Sequence, residues 1–249
     1  MAEVDDRTRQ RLARKARRQE RKRLLILAAA RSVLIAEGLD GMTTAAVAAA
    51  ADTSTSTLYY YYSSRQALID AIAISQLSED VTRMEAAVAA ETDPVDALIA
   101  MVQAHVRHYA ARPEHYFLYE GLSRAGLSPE ALVSGVYPLS TRLNDMLEER
   151  LIAGQQRGLV HPEVYPRQLA NAAWCMAQGI LVTTLSFARS GGSMLFSVEA
   201  LLSESCTTLA RGARAQDPAG GSDSLDRRDN VRGNPSSASS DTPQPDEER

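Results

Sequence analysis

Between Thr43 and Arg65 the sequence concentrates groups that bind phosphates and base edges. Thr43, Thr44, Ser54, Thr55, Ser56 and Thr57 carry hydroxyls, Tyr59, Tyr60 and Tyr61 carry phenols, and Arg65 closes the stretch with a guanidinium. Hydroxyls, phenols and arginines are the usual donors to a nucleic-acid backbone. Upstream, the span from Arg7 to Arg31 holds 11 Lys and Arg against one acid, Glu20, although the 249-residue chain has a net charge of −4. A basic block at one end of a mildly acidic protein implies an anionic partner. DNA phosphate is the first candidate and an anionic membrane its rival.

Other chemistries fit the spacing less well. Gly121-Leu122-Ser123-Arg124-Ala125-Gly126 is one residue too long for a nucleophile elbow. His105, His108 and His115 lie close in sequence, but no carboxylate stands at metal-ligand spacing beside them, and they read as surface or pocket-lining side chains. Cys175 and Cys206 are far apart with no CxxC, which excludes a disulfide scaffold and a cysteine zinc site. Neither a Gly-rich dinucleotide fingerprint nor a P-loop is present. The sequence therefore predicts no enzyme, no cofactor and no metal site. Arg21-Lys22-Arg23 followed by Leu24–Ala30 imitates a signal peptide, but Arg31 interrupts the apolar run, so a cytoplasmic chain is expected. No stretch approaches the ~20 apolar residues of a membrane span.

The elements that would position these residues are helical. Alanine is dense up to about residue 215, aromatics are only 5%, and long β-branched runs are missing. Residues 1–16 lack apolar positions and read as a disordered basic arm or a frayed helical extension. A first helix is expected from about Arg17 to Glu37, with Ile26, Leu27, Ala30, Val33 and Leu34 as its apolar stripe and Gly38 at its end. A short helix over 43–50 follows, capped by Thr43 or Thr44, with Val47, Ala48 and Ala51 inward. Asp52-Thr53-Ser54 forms a tight turn, Ser54 caps a third helix over 55–61, and a fourth runs over 66–90. Successive helical residues point ~100° apart. Leu58 and Tyr62 therefore share a core stripe, Tyr59 and Tyr60 face outward, and Tyr61 either meets a phosphate or is solvated. Later helices are expected from Pro94 to Arg112, Pro113 to Gly126, Tyr137 to about 157, Pro166 to Arg189 and Ser193 to Arg211, and a disordered tail over 212–249.

Helix, tight turn and helix over 43–61 outline a helix-turn-helix, whose second helix lies in a major groove while the first braces it. Residues 24–70 resemble the DNA-binding domain of the TetR family of bacterial transcription regulators. The resemblance rests on Ile26-Leu27, Ala29-Ala30, Gly38-Leu39, Thr43-Thr44, Val47-Ala48, Ser54, Thr57-Leu58-Tyr59, Tyr62, Arg65 and Leu68, all in register. The chain departs from the pattern at Asp52 and Thr53 in the turn, at Ser56, and at Arg65 in place of Lys. Ala45, Ala46, Ala49 and Ala50 leave the second helix few side chains for DNA.

The resemblance implies an all-α protein: a helix-turn-helix domain over 17–65 and a helical ligand-binding and dimerisation domain over 66–211. It implies a homodimer through 166–211, an approximately palindromic double-stranded operator and a small-molecule effector that releases a repressor. Thr43, Thr44, Ser54–Thr57, Tyr59–Tyr61 and Arg65 become the DNA-binding set. Met101, His105, Tyr109, Tyr116, Phe117, Tyr119, Trp174 and Gln178 are candidate pocket liners, as large residues in the right helices. An activator, or a nucleic-acid-binding structural protein without a ligand, is the alternative.

Overall fold

The computed structural model describes residues 2–192 and 194–215, with side chains from Arg9 onward. Of the disordered tail expected over 212–249, residues 216–249 lie outside the described residues. Among the described residues ten helices follow one another: α1 Ala2–Gly41, α2 Thr44–Ala50, α3 Thr55–Tyr61, α4 Arg65–Ala90, α5 Pro94–Ala110, α6 Pro113–Ala125, α7 Pro129–Ala131, α8 Tyr137–Gln156, α9 Pro166–Arg189 and α10 Val198–Ala213. A π-helical turn, Leu132–Val136, joins α7 to α8. No strand forms among the described residues, and none of their helices is long and apolar enough to cross a membrane.

Local chemistry sets the boundaries. Pro94, Pro113, Pro129 and Pro166 each open a helix, where the missing N–H costs nothing. Thr43, Ser54, Ser64, Asp93, Ser128 and Ser197 cap helix N-termini with side-chain oxygens. Gly38 ends the regular part of α1 at φ 72°, a conformation that costs a side-chain-bearing residue.

The boundaries of the first and last helices differ from the expected ones. The first helix begins at Ala2, not near Arg17, so residues 2–16 continue α1 as a helical extension rather than a disordered arm, the second of the two expected alternatives. Arg and Lys are good helix formers and propagate a helix already nucleated by the packed segment behind them. The last helix begins at Val198 rather than Ser193, because the Ser197 hydroxyl accepts from Ala200 N–H, and Leu195 stays outside it, exposed. That helix runs to Ala213. Its end is tied down by His161 N–H donating to Ala213 O at 2.9 Å and by Arg214 on Asp93 and Asp96, so 212–215 do not belong to a loose tail.

The core has two main clusters and a small third one of Val95, Leu151, Val160 and Ala213. The N-terminal cluster joins Ile26, Ala30, Val33 and Leu34 of α1 to Met42, Val47, Ala48, Leu58 and Tyr62, and to Leu68, Ile69 and Ile72 of α4. It also takes in Leu118 and Leu122 of α6, so the packing crosses the 65/66 domain boundary read from the sequence. The larger cluster packs the C-terminal half of α4 against α5, α6, α8, α9 and α10.

Candidate nucleic-acid interface and internal cavity

Thr43 and Ser54 build the helix-turn-helix from its ends. Thr43 Oγ1 accepts from Ala46 N–H at 3.1 Å, and Ser54 Oγ accepts from Thr57 N–H at 3.1 Å. Between the helices Asp52 adopts φ 46°, the left-handed conformation that Asp tolerates. Leu58 and Tyr62 are buried, which fixes the rotation of α3. Tyr59 and Tyr60 consequently stand 51% and 70% exposed, with Ser54, Thr55 and Ser56 exposed beside them. Thr57 is half-buried, and its hydroxyl lies 2.8 Å from Ser54 Oγ. Tyr61 is half-buried, packs on the N-terminal cluster and meets the Tyr60 ring edge-on at 5.0 Å. Thr43 is exposed and Thr44 half-buried at the start of α2, and the Tyr59 hydroxyl lies 3.5 Å from Thr44 Oγ1. Ala45, Ala49 and Ala50 leave the rest of the α2 surface without donors.

The basic helix α1 is fastened to this unit. Lys22 Nζ donates to Ala51 O at 3.3 Å, at the carbonyl end of α2 where the helix dipole favours a cation. Gln19 Nε2 donates to the Tyr60 hydroxyl at 3.0 Å. The Tyr62 hydroxyl donates to Arg23 O, and the Arg23 guanidinium lies over the Tyr62 ring. Burial raises the Tyr62 phenol above its ordinary pKa, and the Arg23 cation opposes the rise.

Arg65, expected at a phosphate, is exposed and also makes hydrogen bonds within the chain. Its Nε donates to Met42 O at 2.9 Å and Nη2 donates to Leu39 O. Its planar fork suits two carbonyls at once. It clamps the Leu39–Met42 connection to the start of α4 and thereby positions α2.

A cavity of about 670 Å³ opens in the C-terminal half, walled by α4, α5, α6, α8, α9 and the π-helical turn. Three of the eight pocket residues read from the sequence line it: Met101, Tyr119 and Trp174. His105 and Gln178 lie behind that wall. His105 Nδ1 is 2.8 Å from Asp80 Oδ2, and its Nε2 is 3.0 Å from Gln178 Oε1. Gln178 Nε2 donates to the Tyr119 hydroxyl at 3.3 Å, and Arg83 donates to Asp80 Oδ1 at 2.6 Å. Tyr109 and Tyr116 are core residues, and Phe117 packs beneath the Arg189 guanidinium. Burial pushes the Tyr116 phenol up to about 12.

The sequence reading missed the larger share of the wall, Gln76, Leu77, Val81 and Met84 of α4 and Leu143 and Asn144 of α8. Their i, i+1, i+5 and i+8 spacing on α4 was the available signal. Gly135 in the π-helical turn lets that wall approach α4, since a Cβ there would meet Ile74 Cδ1 at 2.4 Å. Among the described residues no group of His, Cys, Asp and Glu is arranged to hold a metal.

The cavity reaches the DNA-side unit through α6. Leu122, Ser123, Gly126 and Leu127 line it, while Leu118 and Leu122 lie in the N-terminal core. Gln66 Nε2 donates to Gly126 O at 3.1 Å, and Asp70 Oδ1 accepts from Ser128 N–H at 3.2 Å. The first turn of α4 and the end of α6 are thus hydrogen-bonded together.

A capped helix-turn-helix with an outward aromatic and hydroxyl face, set on a larger helical body, defines a DNA-binding protein of the regulator class. Residues 26–72 match the family model of bacterial regulatory proteins, tetR family. Beyond that match, the chain as a whole has the fold of TetR family transcription regulators. A Rhodococcus sp. RHA1 protein of unknown function superposes with a TM-score of 0.62 at 25% identity, over 78% of this chain and 96% of that one. A TetR family transcription regulator from Marinobacter aquaeolei VT8 gives 0.56 at 19% identity, over 81% and 100%. The transcriptional regulator FadR from Bacillus subtilis, solved with stearoyl-CoA, gives 0.62 at 15% identity, over 76% and 98%. No curated protein matches the sequence.

Proposed function

We propose that the chain is a homodimeric repressor that binds an approximately palindromic operator and is released from it by a small molecule held in the cavity. The observation that carries the reading is the rotation of α3. Leu58 and Tyr62 anchor it from below, so Tyr59, Tyr60, Thr55 and Ser56 are free to meet base edges and phosphates. Thr43, Thr44 and Ser54 stand where the α2 and α3 N-termini approach a backbone. Lys15, Arg18 and Arg11 repeat at helical spacing along α1 with Gln19 and Lys22, and extend the cationic surface beyond α3.

Dimerisation has its own support. One face of α9 carries Ala172, Cys175, Gly179, Val182 and Thr183, all exposed, and Phe187 near the end of the helix is exposed as well. Small residues let two helices approach closely, and an apolar patch of this kind calls for a partner. Half-sites one helical turn apart, ~34–36 Å, then require two recognition helices at a fixed separation. The joint from Gln66 and Asp70 to Gly126 and Ser128 couples that separation to the shape of the cavity. FadR from Bacillus subtilis was solved in complex with stearoyl-CoA, and a small-molecule effector for this chain is in keeping with that.

The test is selection of bound DNA from a random pool by the full chain, followed by a release screen on the selected site. The expected result is a palindrome with half-sites one turn apart, bound by a dimer. A pool with no enriched sequence would leave a non-specific nucleic-acid binder instead.

A further inference from the structure

We infer that the cavity takes an uncharged, predominantly apolar molecule bearing a hydroxyl or N–H group, and that this group donates to Gln76 Oε1. The inference rests on the effector reading above and narrows its chemistry.

Gln76 is 4% exposed and its side chain lines the cavity. Its Nε2 donates to the His115 carbonyl at 2.8 Å. A carbonyl only accepts, so the amide cannot be turned over, and the oxygen is the end left unpaired. Oε1 is buried and has no hydrogen-bond partner. A buried acceptor without a donor carries its full desolvation penalty, which an incoming hydroxyl or N–H removes.

The rest of the wall selects against charge. None of the residues lining the cavity is charged, and most are Leu, Val, Met, Ala or Trp. Asp80 behind the wall is already matched by Arg83 and His105. An ionised ligand group would be buried there without a counter-charge, at a cost that its apolar contacts do not offset. A volume of about 670 Å³ lies in the range of small-molecule sites.

The experiment is calorimetric titration of the full chain with three donor probes, 1-decanol, 4-phenylphenol and indole, and with their methyl ether or N-methyl counterparts. Decanoate serves as the charged control. At least one donor probe should bind, and its methylated counterpart should bind about tenfold more weakly. In Gln76→Leu, or in Gln76→Met should the first variant fail to fold, the pair should bind about equally. The Tyr109 phenol lies beside the Gln76 amide, and Tyr109→Phe should keep the discrimination.

Equal affinity of both members of every pair in the unmodified protein would overturn the inference. So would binding of decanoate alone, loss of discrimination in Tyr109→Phe, or no binding by any donor probe. Operator release is scored separately. Release by a charged compound with every neutral donor failing removes this ligand class and leaves the effector reading. Discriminating binding with no change in operator affinity removes the effector reading and leaves the ligand class.

Discussion

The two halves of the molecule handle polar groups in opposite ways. Around α2 and α3 the Thr43, Ser54, Thr55 and Ser56 hydroxyls and the Tyr59 and Tyr60 phenols face outward over an apolar core. Beyond α4 the arrangement inverts, and the buried polar side chains Gln76, Asp80, His105 and Thr184 all belong to the C-terminal half. Groups held in solvent cost the free protein nothing while they wait for a partner. Buried groups must be satisfied inside, and where one is not, the fold bears the cost until something fills the site. The outward half is thus built to meet a large polar surface, and the inward half to enclose something small.

This contrast is broken most forcefully at Asp80. Its carboxylate holds Arg83 and His105 together beneath the cavity wall. Asp80→Ala leaves the buried His105 Nδ1 without its carboxylate partner, and should cost about 1–3 kcal/mol in urea unfolding. A loss below about 1 kcal/mol would mean that water substitutes for the carboxylate and that the network is not structural.

On the outward half the corresponding change should leave stability alone. Tyr59→Ala should weaken binding to the selected operator by about 1–3 kcal/mol, with an unchanged melting temperature and dimer. Unchanged affinity would place Tyr59 outside the interface and shift the reading toward Tyr60.

The same contrast explains what the sequence could disclose. Caps, turns and stripes act over three or four residues, so Thr43, Ser54, Asp52 and the Leu58–Tyr62 stripe were legible one by one. The cavity was not, because its wall is assembled from α4, α5, α6, α8 and α9, and size alone cannot distinguish a wall residue from a core residue. Tyr109 and Tyr116 pack the core, whereas Gln76, which lines the cavity, looked like any polar residue on a helix. Arg65 shows the same limit at one position. Its charge points to phosphate in the sequence, whereas the two carbonyls it also clamps, Leu39 and Met42, are 23 or more residues upstream.

A smaller effect sharpens the role of α1. Replacing Lys15 and Arg18 by Gln should reduce the salt dependence of operator and scrambled-DNA binding alike. Each lost phosphate contact should remove ~0.9 from the log–log slope. An identical slope would make the extension of α1 a solvated helix with no part in binding.

The smallest expected effect is a pH dependence confined to the inward half. Burial, followed by the cations of Arg83 and Arg112, pushes His108 down to about 4 from its ordinary value of 6.5. Burial and Arg31 lower His115 as well, and the two rings lie 5.8 Å apart. A histidine depressed on folding binds its proton more readily in the unfolded chain, so protonation favours unfolding. Its contribution is fully present above pH 6.5 and is lost progressively as the pH falls from there toward about 4. His108 is partly accessible, and solvent screening keeps the effect modest. His108→Gln should therefore flatten part of the fall in melting temperature between those two pH values and change little at pH 7.5. Operator affinity at pH 7.5 should be the same in both proteins, since His108 is remote in sequence and contact from α2 and α3. An undiminished acid slope in the variant would assign the loss of stability to other groups, with His115 the next to replace.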